Sequence, residues 1–169
     1  TDKEDLAKHA KHLTTTAKAS PDEYYHDEVG YNYRLVNVLA AIGVGQMELL
    51  PSFIKRKKEC VAFYKNELAG VADIRFQQEL PGVNTNGWLF TIQTDKQQQL
   101  LNHLNANKII SRRFWMPMNK LPMYKDCIYI QQKDNADYIY NTCLSIPCST
   151  SITDEDLAIV VREIKEAIG

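Results

Sequence analysis

The sequence has no CxxC pair, and its four cysteines, Cys60, Cys127, Cys143 and Cys148, stand at gaps that fit no zinc-ligand pattern. No metal site is expected from them. They read as reduced thiols, mostly packed, in a cytosolic protein rather than as a disulfide framework. There is no basic excess and no acidic tail, and the formal net charge of −1 argues against nucleic acid as a partner. No apolar run approaches the length that crosses a membrane, and no signal peptide is read, so no membrane association is expected. A P-loop, a GxGxxG after a strand and a Ser-His-Asp set are all missing. So are internal repeats and low-complexity tracts.

What is present is ordinary globular composition. Hydrophobic residues make up 44% and charged residues 24% of the 169 positions, enough to bury one domain's core without disulfides. The chain starts at Thr1, without Met and directly into a helix, which leads to the expectation of a piece cut from a longer chain. "DKEDLAKHAKHL" places acids first and bases later, as a helix dipole prefers. "TTTAKASPDEYYHDE" reads as a polar loop. Apolar residues recur at helical spacing from Leu35 to Leu50. Pro51 then fits the first turn of a second helix running to about Leu68, with Phe53, Ile54, Cys60, Val61 and Tyr64 inward and Lys55 to Lys58 as a solvated face.

Ala69 and Gly70 end that helix. Strands are expected at "ADIRFQ", "WLFTIQT", "IISRRFW" and "LSIP". Between them lie a helix capped by Asp95 with Leu100, Leu101 and Leu104 inward, a proline-rich loop "MPMNKLPMYKD", and a short helix "NADYIYNTC". A final amphipathic helix follows, with Thr153 as N-cap and Glu155 and Asp156 in its first turn. The order is helices, then β-β-α-β-α-β-α. That is an α/β (α+β) fold, a small sheet with helices packed on one side.

Among residues able to carry chemistry, His9 and His12 form an i, i+3 pair that no Cys or carboxylate clearly completes, so they read as surface histidines. His103 is expected to be exposed on its helix. His26, beside Asp27 and Glu28, reads either as a general base or as a loop hydrogen bond. The glycines of "AIGVGQ" lie inside a helix. With Ala40 and Ala41 they suit close packing against something large, such as another subunit. "GYNYR", Gly30 to Arg34, combines an amide, a guanidinium fork and tyrosine hydroxyls at the mouth of a helix. It reads as an anion site or as a solvated turn. Gly30 permits a turn or a close approach. "SRRFWMPMNKLPMY" reads equally as a ligand wall or as a hydrophobic plug over the sheet.

"HDEVGYNYRLVNVLAAIGVGQMELL" closely resembles the H-x-x-x-G-Y-N-Y-R segment and following helix of the DegT-type nucleotide-sugar aminotransferases, pyridoxal-phosphate enzymes of the aspartate aminotransferase fold. "WLFTI", "SRRFWMPMNKLPMY" and "CLSIPCSTSITDEDL" resemble later parts of the same family, so that the likeness covers essentially the whole chain. It implies that residues 1–50 are the end of the large cofactor-binding domain with an interface helix. Residues 51–169 would be the C-terminal small domain.

The resemblance also implies that Asn32 reaches the cofactor phosphate of a neighbouring subunit, with Arg34 at the same shared site, in a homodimer. It points to His26, Tyr31, Trp115 and Asn119 as substrate contacts, although the family commonly has His where Asn119 stands. The implied activity is transfer of an amino group from glutamate to a keto group of a nucleotide-linked sugar, in the cytoplasm, for polysaccharide or glycan precursors. The family's Schiff-base Lys lies upstream of the matched region. No Lys here is therefore expected to be catalytic, and the chain alone is not expected to transaminate. The competing readings are a dehydratase relative with His in place of that Lys, a non-catalytic module of the same fold, and a generic α/β interaction domain.

Overall fold

The computed structural model describes residues 1–20 and 22–169, and the chain divides into two compact units, Thr1–Leu49 and Leu50–Gly169. The second unit is organised by strand alternation. Strands β2 (Phe90–Gln93) and β4 (Cys143–Ile146) pair antiparallel, with Phe90 opposite Ile146 and Ile92 opposite Leu144. These four apolar residues are buried, while Thr91 and Ser145 on the other face share a 2.9 Å hydrogen bond. Two-residue strands flank the pair, β1 (Arg75–Phe76) on β2 and β3 (Arg112–Arg113) on β4. The order is β1-β2-β4-β3, antiparallel throughout.

Helices supply the rest of the core. Helix α3 (Gln97–Ala106) buries Leu100 and Leu104, one turn apart. Helix α5 (Asp154–Ile168) buries Leu157, Val160, Val161, Ile164 and Ile168, a stripe at helical spacing. Each such side chain contributes on the order of 1.5–3 kcal/mol. Thr153 caps α5 as expected. Its hydroxyl accepts from the Asp156 amide at 3.0 Å, and its own amide donates back to the Asp156 carboxylate at 3.3 Å. Helix α4 (Asn135–Thr142) leads straight into β4. The buried Gln97 amide donates to the carbonyls of Tyr140 and Cys143 at 2.8 and 2.7 Å, which ties α3 to that junction.

Helix α1 (Glu4–Thr14) opens the first unit and buries no residue. The unit's order comes from backbone bonds: Tyr31 N to Leu13 O at 2.7 Å, Thr16 N to Tyr31 O at 3.1 Å and Tyr33 N to Thr14 O at 3.0 Å. Together they lay the segment around Gly30 against the end of α1.

Several expectations change. Helix α2 runs unbroken from Asn37 to Glu67 with Pro51 inside it, not as two helices. Leu50 offers no capping oxygen to start a new helix, so the chain forgoes one backbone bond to the Met47 carbonyl and continues in register. Joined this way, α2 is long and apolar enough to cross a membrane by length and composition, which reverses the expectation that no run reaches that length. The basic run is also not wholly solvated. The Arg56 guanidinium donates to the Ile152 carbonyl at 2.6 Å and pairs with Asp154 at 2.8 Å, and Lys57 donates to the Trp88 carbonyl at 2.9 Å. Asp95 does not cap α3: Lys96 stands at the N-cap with no side-chain cap bond, and the Asp95 carboxylate pairs with Arg75 at 3.4 Å instead. His103 is half-buried against Glu163 at 3.0 Å rather than exposed.

Candidate functional site

In the first unit, Asn32 and Arg34 line one cleft of ≈ 460 Å³ together with Thr15, Thr16, Lys18 and Ser20. The local chain path makes this cleft. Thr16 and Ala17 both adopt left-handed backbone angles, φ +67° and +49°, which non-glycine residues rarely hold. They are kept there by the Ala17 amide on the His12 carbonyl at 2.9 Å and by the His26 ring nitrogen Nδ1 on the Thr16 carbonyl at 2.7 Å. A Cβ on Gly30 would come within 2.3 Å of the Thr16 carbonyl carbon and 2.4 Å of the Ala17 amide nitrogen. The glycine is therefore required by the chain's own strap, not by the approach of a ligand. A β-bridge pairs Thr15 with Asn32 and fixes the asparagine at the cleft.

The electrostatics of this unit separate by sign. His12 holds Asp27 at 2.5 Å, and that bond keeps the Asp27 carboxyl below its ordinary range. His9 faces Glu28 at 3.5 Å. The lining of the cleft carries Lys18 and Arg34 and, among the described residues, no carboxylate. Such a cleft suits an anion.

Of the other expected site residues here, His26 does not line the cleft; it is a loop hydrogen bond that supports the strap from outside. Tyr31 stacks on Tyr33 at 5.3 Å and is exposed. Sequence reasoning missed Thr15, Thr16, Lys18 and Ser20. The signal was the hydroxyl run of "TTTAKAS", which composition alone reduced to a polar loop.

The second unit carries a groove of ≈ 290 Å³ walled by Phe76, Phe90, Trp88, Phe114 and Trp115. The two indoles lie 6.3 Å apart at 29°, and both are mostly exposed, at 66% and 61%. Lys65 pairs with Glu79 at 3.3 Å on the rim, and the Trp88 amide donates to the Asn86 side chain at 3.0 Å. Trp115 is thus a wall of a real groove, in company with Trp88, which sequence reasoning did not single out. Asn119 is not part of that wall. It lies in the short 3-10 turn Met118–Lys120, and its Oδ1 is buried without a hydrogen-bond partner. A third cluster, His103 with Glu163 and Glu166, gathers its ligand atoms within 4.8 Å, but Arg162 already sits at 3.0 Å from Glu163 and 3.7 Å from Glu166.

With both lining sets in place, comparison with known proteins identifies the fold. The chain is 39% identical over 107 residues to the GDP-perosamine synthase of Vibrio cholerae, matching 60% of this chain and 29% of that protein. It is 30% identical over 147 residues to the GDP-perosamine synthase of Escherichia coli O157:H7, matching 85% of this chain and 39% of that one. Among solved structures, DesV of S. venezuelae in complex with a ketimine intermediate superposes with a TM-score of 0.84 at 24% identity, over 98% of this chain and 45% of that chain. The chain therefore spans less than half the length of these relatives. The family model of the DegT/DnrJ/EryC1/StrS aminotransferases matches residues 1–165, and the chain belongs to that family.

Proposed function

We propose that this chain is the C-terminal part of a pyridoxal-phosphate-dependent aminotransferase that moves an amino group from glutamate to a keto group of a nucleotide-linked sugar, a precursor of polysaccharide or glycan. The observation that carries this reading is the convergence of Asn32 and Arg34 on one cleft whose lining holds no carboxylate among the described residues, in a chain of this family. The relatives named as GDP-perosamine synthases support the sugar class.

The residues present fit the cofactor's phosphate. The Asn32 amide would donate to it, the Arg34 fork would offer a planar pair of donors, and the threonine hydroxyls would add more. When bound, pyridoxal phosphate supplies an electron sink for the carbanion that transamination requires. This chain's part is to hold the phosphate and orient it. The proton-shuttling Lys belongs upstream. Trp115 and Trp88 give the second unit an aromatic wall that would face a sugar and keep water from it.

Residues 1–50 then belong to the large domain and residues 51–169 form the small domain. The exposed apolar residues Leu35, just ahead of α2, and Val38, Leu39, Ile42 and Met47 in its first part become a homodimer interface that presents Asn32 to the partner's cofactor. Gln46 interrupts that face, and Asn37 and Glu48 lie on the other side of the same stretch, which favours a protein partner over lipid. The free thiols Cys60, Cys127, Cys143 and Cys148 suit a cytoplasmic setting.

The test is the visible absorbance of the full-length protein with pyridoxal phosphate, before and after glutamate. A cofactor band that glutamate moves is the expected result. A band that glutamate leaves unchanged points to the dehydratase relative or another donor, and no band at all points to a non-catalytic module.

A further inference from the structure

The indole wall of the second unit is held from behind by a lysine. Trp88 is mostly exposed, so burial does not fix its ring. Its backbone is fixed instead. Gly87, at φ +63°, lies so close to α2 that a Cβ there would come within 3.2 Å of Val61 Cγ2 and 3.4 Å of the Lys57 carbonyl oxygen. The Lys57 ammonium donates to the Trp88 carbonyl at 2.9 Å and reaches the Cys148 sulfur at 3.6 Å. The Cys148 thiol in turn reaches the Trp88 carbonyl at 3.6 Å. We propose that Lys57, with Cys148 as its buried partner, is the positioning residue of the aromatic groove: it fixes Trp88 against Trp115 and so sets the face on which the sugar of the substrate lies. This rests on the aminotransferase reading and deepens it by naming what builds the sugar wall.

Three elements meet at this ammonium. Lys57 lies on α2, Trp88 two residues before β2, and Cys148 two residues beyond β4. The segment that carries Cys148 has its own anchor, since the Tyr64 hydroxyl, two turns along α2 from Lys57, donates to the Pro147 carbonyl at 2.7 Å. Lys55 and Lys58 are exposed, whereas Lys57 is half-buried and pairs with no carboxylate among the described residues. An ammonium drawn partly out of water onto a neutral carbonyl needs a charge-assisted hydrogen bond to offset the lost hydration. On the ring side the two indoles have unequal support. Phe114 braces Trp115 edge-on at 4.8 Å, while Trp88 has no second aromatic partner among the described residues. The placement of Trp88 therefore depends on its backbone, and so on Lys57. Two stacked rings present one broad apolar face, which suits the C–H face of a pyranose better than a charged group.

Indoles this close couple their transitions, and the full-length protein should show an exciton couplet in circular dichroism that a Trp115→Phe control removes. Lys57→Gln should lose most of that couplet with the helical signal unchanged. Lys57→Arg, which keeps a cationic donor, should retain most of it. Cys148→Ala, which leaves the ammonium in place, should lose less than Lys57→Gln. Calorimetry on cofactor-loaded protein then compares GDP-mannose with GDP, and UDP-N-acetylglucosamine with UDP. In wild type a sugar nucleotide should bind more tightly than its parent diphosphate. Lys57→Gln should weaken the sugar nucleotide about three- to tenfold and leave the diphosphate unchanged.

An intact couplet in Lys57→Gln overturns the inference. So does equal weakening of sugar nucleotide and diphosphate, or a wild type that binds neither sugar nucleotide more tightly than its diphosphate. The aminotransferase reading is decided separately in the same samples by whether glutamate moves the cofactor band. Where it does, that reading stands whatever becomes of Lys57. Where it does not, that reading fails, and the couplet still decides whether Lys57 sets Trp88.

Discussion

Residues 50–169 and residues 1–49 are ordered by different forces. In the longer unit, Cys60, Tyr64, Ile92, Leu104, Leu144, Ile164 and their neighbours form one buried cluster. In the shorter unit Ala17 is the one fully buried apolar residue among those described, and Leu35, Val38, Leu39, Ile42 and Met47 lie open. One region encloses its own apolar surface. The other keeps its shape through backbone hydrogen bonds and offers its apolar surface outward. On the proposed reading, that outward surface is the homodimer interface. The anion cleft lies in that same unit, so cofactor retention should depend on contacts between molecules, whereas the stability of residues 50–169 should not.

The sharpest way to break this comparison is a pair of truncations. Leu104→Ala in the full-length protein removes a fully buried side chain from the α3 face and should destabilise residues 50–169 by about 2–5 kcal/mol. Leu39→Ala, on the open face of α2, should leave that region within about 0.5 kcal/mol. Its effect should appear instead as weaker self-association in sedimentation and faster cofactor loss. Equal destabilisation of residues 50–169 by both changes, read by hydrogen exchange, would remove the distinction.

Gly30→Ala acts on the shorter unit alone. The added methyl meets backbone, at 2.3 Å from the Thr16 carbonyl carbon, so no side-chain rotation relieves it. Forced overpacking of this kind costs about 1–3 kcal/mol. Amide exchange at Thr16 and Ala17 should accelerate and phosphate-bearing ligands should bind more weakly, while α5 keeps its protection. Unchanged exchange at Thr16 would show that the strap is not what shapes the cleft.

What the sequence let one read follows the same division between local and distant causes. Helix α5 was legible because its cap is local: Thr153 and Asp156 stand three apart ahead of a regular apolar stripe. Leu100 and Leu104 were legible by spacing. Helix α2 was misjudged because a proline reads as a start when only near neighbours are weighed. Arg56 and Lys57 were misjudged because the groups that draw them in, Asp154 with the Ile152 carbonyl and the Trp88 carbonyl, are far away in the chain. Strands β1 and β3 shrank to two residues because their length is set by their partners β2 and β4. At the candidate site Asn32 and Arg34 stood out through a motif. Lys18 and the hydroxyls beside it did not, since their convergence depends on two left-handed residues that no composition announces. Asn119 was expected as a substrate contact through the family resemblance of its loop; it lies in the Met118–Lys120 turn, outside the lining of the aromatic groove.

Acid provides the finest test, because its effect differs by carboxylate. In residues 50–169 the Thr153 hydroxyl and amide hold the Asp156 carboxyl below its ordinary range, and the Asp95 amide with the Thr94 hydroxyl does the same for Asp73. A carboxyl depressed in the folded state binds fewer protons folded than unfolded. Its contribution is therefore present above the unfolded carboxyl range, near about pH 4, and is lost as pH falls through the folded value. The first turn of α5 should accordingly lose exchange protection in acid, after correction for intrinsic rates. Asp156→Asn should flatten that dependence and lower protection at neutral pH, where the amide no longer offers a charge to the helix N-terminus. In residues 1–49 the corresponding group is Asp27, held by His12, and its response to acid should be untouched by Asp156→Asn. If the α5 turn keeps its full acid slope in that variant, another carboxylate governs it. If the Asp27 region shifts as well, the two units are coupled more tightly than their separate sources of order imply.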